Sequence, residues 1–157
     1  MSPRERDEPA DTGPVLALAP VTQRNWQHCI HLQLAPDQTH RLASNLYSLA
    51  EAYVEPRCTP RAIYADAQMI GFVMYEFYEH SGAFSIPRFM IDVRWQGYGY
   101  GRRAMRLIVD TLKSERPDAP ILISLTPDNI AARRLYEAVG FEDTGRHSHG
   151  EDVLRHP

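Results

Sequence analysis

Apolar residues fall along this chain in two rhythms, and the places where one gives way to the other mark its elements. A short apolar run over 15–19 ends at Pro20, as a strand would. Thr22 and Asn25 stand as helix N-caps before Trp26, Cys29, Ile30 and Gln33 at helical spacing. After Pro36, the residues Leu42, Leu46, Leu49, Ala50 and Tyr53 predict a second helix that stops before Pro56. Segments 61–65 and 69–78 are rich in β-branched and aromatic residues and flank the polar turn Asp66-Ala67-Gln68, so they predict a hairpin. His80-Ser81-Gly82 makes a second turn into a strand over 84–93.

From there the order becomes strand, glycine loop, helix, strand, helix. Ala104, Leu107, Ile108, Thr111 and Leu112 share one helix face, with Pro117 ending the helix, and 121–125 reads as a buried strand. Pro127-Asp128-Asn129 opens a last helix with Ala132, Leu135, Tyr136 and Val139 inward and Gly140 just past its end. Phe141 begins a closing strand, with 152–155 as its partner or continuation. Antiparallel strands followed by a β-α-β-α unit predict an α/β (α+β) fold, a mixed and mostly antiparallel central sheet flanked by helices.

A chain of 157 residues, 43% hydrophobic and 24% charged, suits one core. Residues 1–13, polar and proline-rich, are expected to be a disordered tail, and 14–157 a single domain. No run approaches the 18 or so apolar residues of a membrane span, and the N-terminus lacks the apolar stretch of a signal peptide. A net charge of −3 argues against a nucleic-acid partner, while leaving room for a local basic patch that holds a phosphorylated small molecule. Cys29 and Cys58 are too few for a disulfide framework, which fits a reducing cytoplasm. His147-Ser148-His149 with Glu151 and Asp152 lacks a second ligand pair at helical spacing, so it reads as a flexible tail and no metal site is expected. An edge strand of so small a sheet could pair with a second copy, so a homodimer is open.

The segment richest in chemistry is Arg94-Trp95-Gln96-Gly97-Tyr98-Gly99-Tyr100-Gly101-Arg102-Arg103, between a strand end and a helix start. Alternating glycines let successive backbone N–H groups converge beside a helix N-terminus, a place that suits pyrophosphate. Arg102, Arg103 and Arg106 crowd the first turns of that helix, where cations are disfavoured by a few tenths of a kcal/mol each unless a polyanion is bound. Gly99-Tyr100-Gly101-Arg102-Arg103-Ala104 also fits a dinucleotide fingerprint, but 121–125 runs into Thr126-Pro127 without the acidic residue that reading needs. The absence of GK[ST] sets aside a P-loop.

Gln96-x-x-Gly99-x-Gly101 after Phe89-Met90-Ile91-Asp92-Val93 resembles the acetyl-CoA-binding motif of the GNAT superfamily of N-acetyltransferases. Downstream, Asn129 followed by a helix carrying Leu135-Tyr136 and ending Gly140-Phe141 resembles that superfamily's later motif. Segments 43–50, 71–75 and 88–92 further resemble those of bacterial spermine/spermidine (diamine) acetyltransferases.

The resemblance implies the GNAT acyl-CoA N-acyltransferase fold and an enzyme that moves acetyl from acetyl-CoA to a small-molecule amine. Met90, Ile91 and Val93 would offer backbone to the pantetheine arm. Gln96, Gly97, Tyr98, Gly99, Tyr100, Gly101 and Arg102 would take the pyrophosphate. Asn129 and Tyr136 lie seven apart, about 10 Å along one helix face at ~1.5 Å per residue, so one can touch the pantetheine and the other the sulfur.

The chemistry needs a neutral amine, a donor for the developing oxyanion and a proton for the thiolate. By the resemblance Tyr136 is the acid, and a backbone N–H near Met90 or Ile91 the oxyanion donor. Where some members carry a base, this chain has Phe84-Ser85-Ile86-Pro87-Arg88, which leaves Glu76, Asp92 or a water chain. Glu51, Glu55, Glu76 and Asp92 are the candidates to attract a cationic acceptor. A polyamine is the expected acceptor, with an aminoglycoside or a protein amine as alternatives. A non-catalytic coenzyme sensor is the reading from another class.

Overall fold

In the computed structural model residues 13–157 are described, so the tail expected over 1–13 lies, but for Gly13, outside the described residues. The chain runs β1 (Leu16–Pro20), α1 (Trp26–His31), α2 (Asn45–Val54), β2 (Cys58–Ala65), β3 (Gln68–Tyr78) and β4 (Ala83–Ile91). It continues through α3 (Tyr100–Glu115), β5 (Ile121–Leu125), α4 (Ile130–Val139), β6 (Glu142–Ser148) and β7 (Glu151–His156). The strands form one sheet in the order β1-β2-β3-β4-β5-β7-β6. Among the described residues only β4 and β5 pair in parallel; every other pair is antiparallel. The mixed, mostly antiparallel sheet with flanking helices is the fold the sequence predicts.

β3 sits in the interior of the sheet, and its side chains divide between two cores, alternating from Phe72 to Tyr75 and changing phase at Ile70, where the pairing with β2 shifts register. Met69, Phe72 and Met74 join Cys29, Leu32, Ala62 and Met90 on the side of α1 and α2. Ile70, Val73 and Tyr75 join Ala104, Met105, Ile108 and Leu112 of α3 on the other. Burial on both faces explains why β3 reads as an unbroken apolar run. At Gly71 a Cβ would stand 2.4 Å from the Met90 carbonyl oxygen, so the β3–β4 approach requires glycine there.

One irregularity in β4 creates the site. Met74 lies opposite Arg88 and Glu76 opposite Ser85, so Ile86 and Pro87 together face the single residue Tyr75. Such a bulge bends its strand, and Pro87 brings no N–H for a further ladder bond. β4 meets β5 only over Phe84↔Ile121 and Ser85↔Leu122, after which the two strands part.

Local departures from the sequence reading have identifiable causes. The second helix begins at Asn45 rather than near Leu42, because the Ser44 hydroxyl caps it by accepting from Tyr47 N at 3.1 Å. Leu42 packs on the core from the preceding loop. Asn25 stands at the start of α1 without capping it by its side chain; its Oδ1 accepts from Thr22 N at 2.7 Å. The strand expected over 84–93 ends at Ile91, where Asp92 turns the chain into a single 3-10 turn, Val93–Trp95, by accepting from Arg94 N. The flexible tail expected around His147 is instead the β6–β7 hairpin, with Ser148 opposite Glu151 and Thr144 Oγ1 donating to Val153 O at 2.7 Å.

Candidate active site

Where β4 and β5 separate, a cavity of about 620 Å³ opens through the sheet. Phe89, Met90 and Ile91 form its β4 wall, and Ser124, Leu125 and Thr126 its β5 wall. The glycine loop and the N-terminal part of α4 close one side, and Leu34, Gln38, Arg41 and Leu42 of the α1–α2 loop close the other.

Gly97 and Gly99 hold φ of +84° and +82°, backbone conformations in which a side chain is strained. Nothing lies within 4 Å of where a Cβ would stand at either, so the loop presents bare backbone to open space. Gly99 is also the N-cap of α3 and offers no side chain to cap it. The first N–H groups of α3 therefore lack intrahelical partners and face the cleft, with the positive end of the helix dipole behind them. This arrangement fits a polyanion such as pyrophosphate. Gly101 plays a different part. A Cβ there would come within 2.8 Å of Leu135 Cδ1, so its smallness lets α3 and α4 pack closely.

Gln96 lines the cleft, but its side chain is engaged: Nε2 donates to Ile91 O at 2.8 Å and to Gln38 Oε1 at 2.9 Å, tying the end of β4 to the α1–α2 loop. Of the three arginines early in α3, Arg102 lines the cleft, whereas Arg103 donates to Pro14 O and lies over the Tyr100 ring. Val93, Tyr98 and Tyr100 are not on the cleft wall. Val93 N donates to Gln33 O at 2.7 Å, Tyr98 is 73% exposed, and Tyr100 packs edge-on against Trp95.

Asn129 caps α4, its Oδ1 accepting from Ala132 N at 3.3 Å, and also lines the cleft. Tyr136 is buried beside Phe141 yet contributes to the cleft wall, and no described residue hydrogen-bonds its hydroxyl. Burial holds its phenol well above the ordinary tyrosine value. It therefore keeps its proton throughout the neutral range.

The four acids expected to attract an acceptor lie off the cleft. Glu51 pairs with Arg88 at 2.8 Å, and Glu55 with Arg57 at 2.9 Å. Glu76 is buried, accepting from the Tyr78 hydroxyl and from Cys58 Sγ at 3.3 Å. Burial and then this carboxylate push the Cys58 thiol up to about 12, so it stays protonated. Asp92 is buried and accepts from Gln33 N, Arg94 N and Arg94 Nε. Burial raises its pKa, but the bonds from Arg94 and Gln33 outweigh that and hold it below the ordinary aspartate value. Glu51, Cys58 and Glu76 offer ligand atoms within 4.8 Å of one another, but Arg57 and Arg88 already supply the positive charge there.

The cleft also has residues the sequence did not mark. Arg41 reaches across to Thr126 Oγ1 at 2.8 Å and Asp128 Oδ1 at 3.1 Å, joining the α1–α2 loop to the start of α4. Gln38, Ser124, Arg134 and Glu151 line the wall as well. No local pattern singles them out, because they come from four separate elements that only the fold brings together.

This architecture has known counterparts. The family model described as Acetyltransferase (GNAT) family matches residues 22–141. A spermine/spermidine N(1)-acetyltransferase of Bacillus subtilis is 28% identical over 141 residues, spanning 85% of this chain and 93% of that protein. In fold, the chain is similar to the spermidine N-acetyltransferase of Vibrio cholerae solved with CoA and spermine, at a TM-score of 0.71 and 18% identity over 89% of this chain and 92% of that one. It is equally similar to the aminoglycoside acetyltransferase AAC(6')-Ib solved with coenzyme A, at a TM-score of 0.73 and 20% identity over 90% and 93%. With the split between β4 and β5, the glycine loop opening α3 and a family match over most of its length, the chain belongs to the acetyltransferase (GNAT) family.

Proposed function

We propose that this protein transfers acetyl from acetyl-CoA to a primary amine, with a polyamine or diamine as acceptor. The observation that carries the reading is the uncapped N-terminus of α3, set behind two positive-φ glycines and opening on the cleft that Tyr136 lines. The residues present fit the coenzyme. Gly97, Gly99 and Arg102 suit its phosphates, the separated end of β4 at Met90 and Ile91 suits its amide-bearing arm, and Asn129 lies between these and Tyr136. When bound, acetyl-CoA supplies an activated acyl group on a thiol leaving group.

Tyr136 holds a proton at the cleft wall, ready for the departing sulfur. Its raised pKa would make it a poor acid toward a thiolate in water, whose ordinary pKa is about 8.5. A thiolate forming in the same dry cleft is itself destabilised and correspondingly more basic, so the two pKa values approach each other. Backbone N–H groups near Met90 and Ile91 serve as donors for the developing negative charge on the carbonyl oxygen. Glu76 and Asp92 are fully engaged elsewhere, so the amine loses its proton through water. Residues 14–157 act as one domain, in a reducing cytoplasm that suits the two buried free cysteines.

The polyamine assignment is supported by the 28% identical Bacillus subtilis protein, whose length the chain nearly spans. A competition assay tests it: spermidine, an aminoglycoside and a lysine peptide are offered together at equal concentration, and the acetylated products identified by mass spectrometry. Acetyl-spermidine as the main product is expected. Acetylation confined to the aminoglycoside or the peptide would reassign the acceptor.

A further inference from the structure

Among the described residues lining the cleft, Glu151 is the one carboxylate. It is half-buried, and no described residue hydrogen-bonds or ion-pairs with its side chain. Strand alternation fixes the side it occupies. In β7, Leu154 belongs to the core shared with α3 and α4, so Asp152 faces that way too, while Glu151 and Val153 face the opposite side. Asp152 accordingly meets Arg133 of α4 at 2.5 Å. Glu151 shares its side of the sheet with Met90, Leu34 and Leu42, which pack on the core under α1 and α2.

Positive charge around the cleft is divided between the same two sides. Arg102 and Arg134 stand on α3 and α4, beside the uncapped helix N-terminus. On the side of Glu151 the cation is Arg41, already matched by Asp128 at 3.1 Å. One mouth of the cleft is thus built for an anion, and the other presents a carboxylate without a counter-ion of its own.

We infer that Glu151 anchors a second, non-reacting ammonium of the acceptor, so that the substrate class is an amine carrying at least two amino groups. The inference rests on the acetyl-transfer reading above. In that reaction the amine lone pair forms the new N–C bond, the C–S bond breaks with its electrons on sulfur, Tyr136 protonates the sulfur, and the nitrogen gives up its proton to water, through which Tyr136 regains its own. The attacking nitrogen must be neutral. A carboxylate in contact with an ammonium stabilises the charged form and would hold back that proton. The nitrogen that Glu151 holds is therefore a different one from the nitrogen that attacks.

The test compares 1,4-diaminobutane with butylamine on the wild type, Glu151→Gln and Glu151→Asp. In Glu151→Gln the KM for the diamine should rise about tenfold more than the KM for the monoamine, the scale of a lost charge-assisted contact. Glu151→Asp, which keeps the charge, should recover part of that difference. Calorimetric titration of 1,4-diaminobutane into the protein saturated with coenzyme A reads the same contact without turnover, and there Glu151→Gln should bind about tenfold more weakly. Equal KM shifts for the two amines, or unaltered diamine binding in the variant, would overturn the role of Glu151 and leave acetyl transfer standing. A wild type that acetylates no amine would instead remove the reading on which the inference rests.

Discussion

Tyr136 is the residue to which the proposed chemistry assigns the acid, and its setting distinguishes it from an ordinary core tyrosine. It packs against Phe141 like one, but its hydroxyl is left without a described partner at the wall of the cleft. In the proposed reaction that hydroxyl meets the coenzyme sulfur. Tyr136→Phe should lower kcat by roughly 10² or more while leaving coenzyme affinity near the wild-type value, measured by steady-state kinetics and calorimetry. Turnover equal to the wild type would exclude Tyr136 from the mechanism. The sequence placed Tyr136 by its distance from Asn129, a local relation that a helix preserves. The acceptor acids carried no such sign of their surroundings. Glu51 is paired to Arg88, which only the fold brings near, while Glu76 and Asp92 are engaged by Tyr78 and Arg94 two residues on, neighbours whose contact the sequence does not announce. Glu151 was legible only as one polar residue in a histidine-rich stretch.

At the scale of elements, the glycine loop and α3 were legible because their signals are local: alternating glycines, a helix period and Pro117 as a stop. The same holds for the β2–β3 hairpin and its turn at Asp66, which has a φ of +49°. The bulge in β4 was not legible. The sequence predicts one strand over 84–93, and only the pairing with β3 shows Ile86-Pro87 to be a bulge, just past the point where β4 parts from β5. Gly99 provides the sharpest test at this scale, because the space above it is open and a side chain there would enter the region assigned to phosphate. Valine at a φ of +82° also strains the loop, by about 1–3 kcal/mol. Gly99→Val should therefore weaken coenzyme A binding by at least about tenfold while thermal unfolding stays cooperative. Wild-type affinity in the variant would refute the loop as the phosphate site.

On the scale of the whole molecule, one parallel strand pair in an otherwise antiparallel sheet of the described residues produces the cleft. β4 and β5 share two register positions and then separate, so the sheet has an opening where most sheets have a ladder. The opening joins the uncapped end of α3 on one side to the α1–α2 loop and Glu151 on the other. Coenzyme and acceptor can then approach the same point from opposite faces, which suits direct transfer between them. None of the described helices is long and apolar enough to cross a membrane. The fold class was legible because strand and helix order prescribes a mixed sheet, whereas the opening depends on register, which composition and periodicity do not carry. The most direct test of the account is thiol release from acetyl-CoA by the purified protein on adding spermidine. Release that saturates with spermidine and exceeds the amine-free rate by at least about a hundredfold is the expected result. No release above the amine-free rate with spermidine, an aminoglycoside or a lysine peptide, in protein shown by calorimetry to bind coenzyme A, would contradict acetyl transfer as its function.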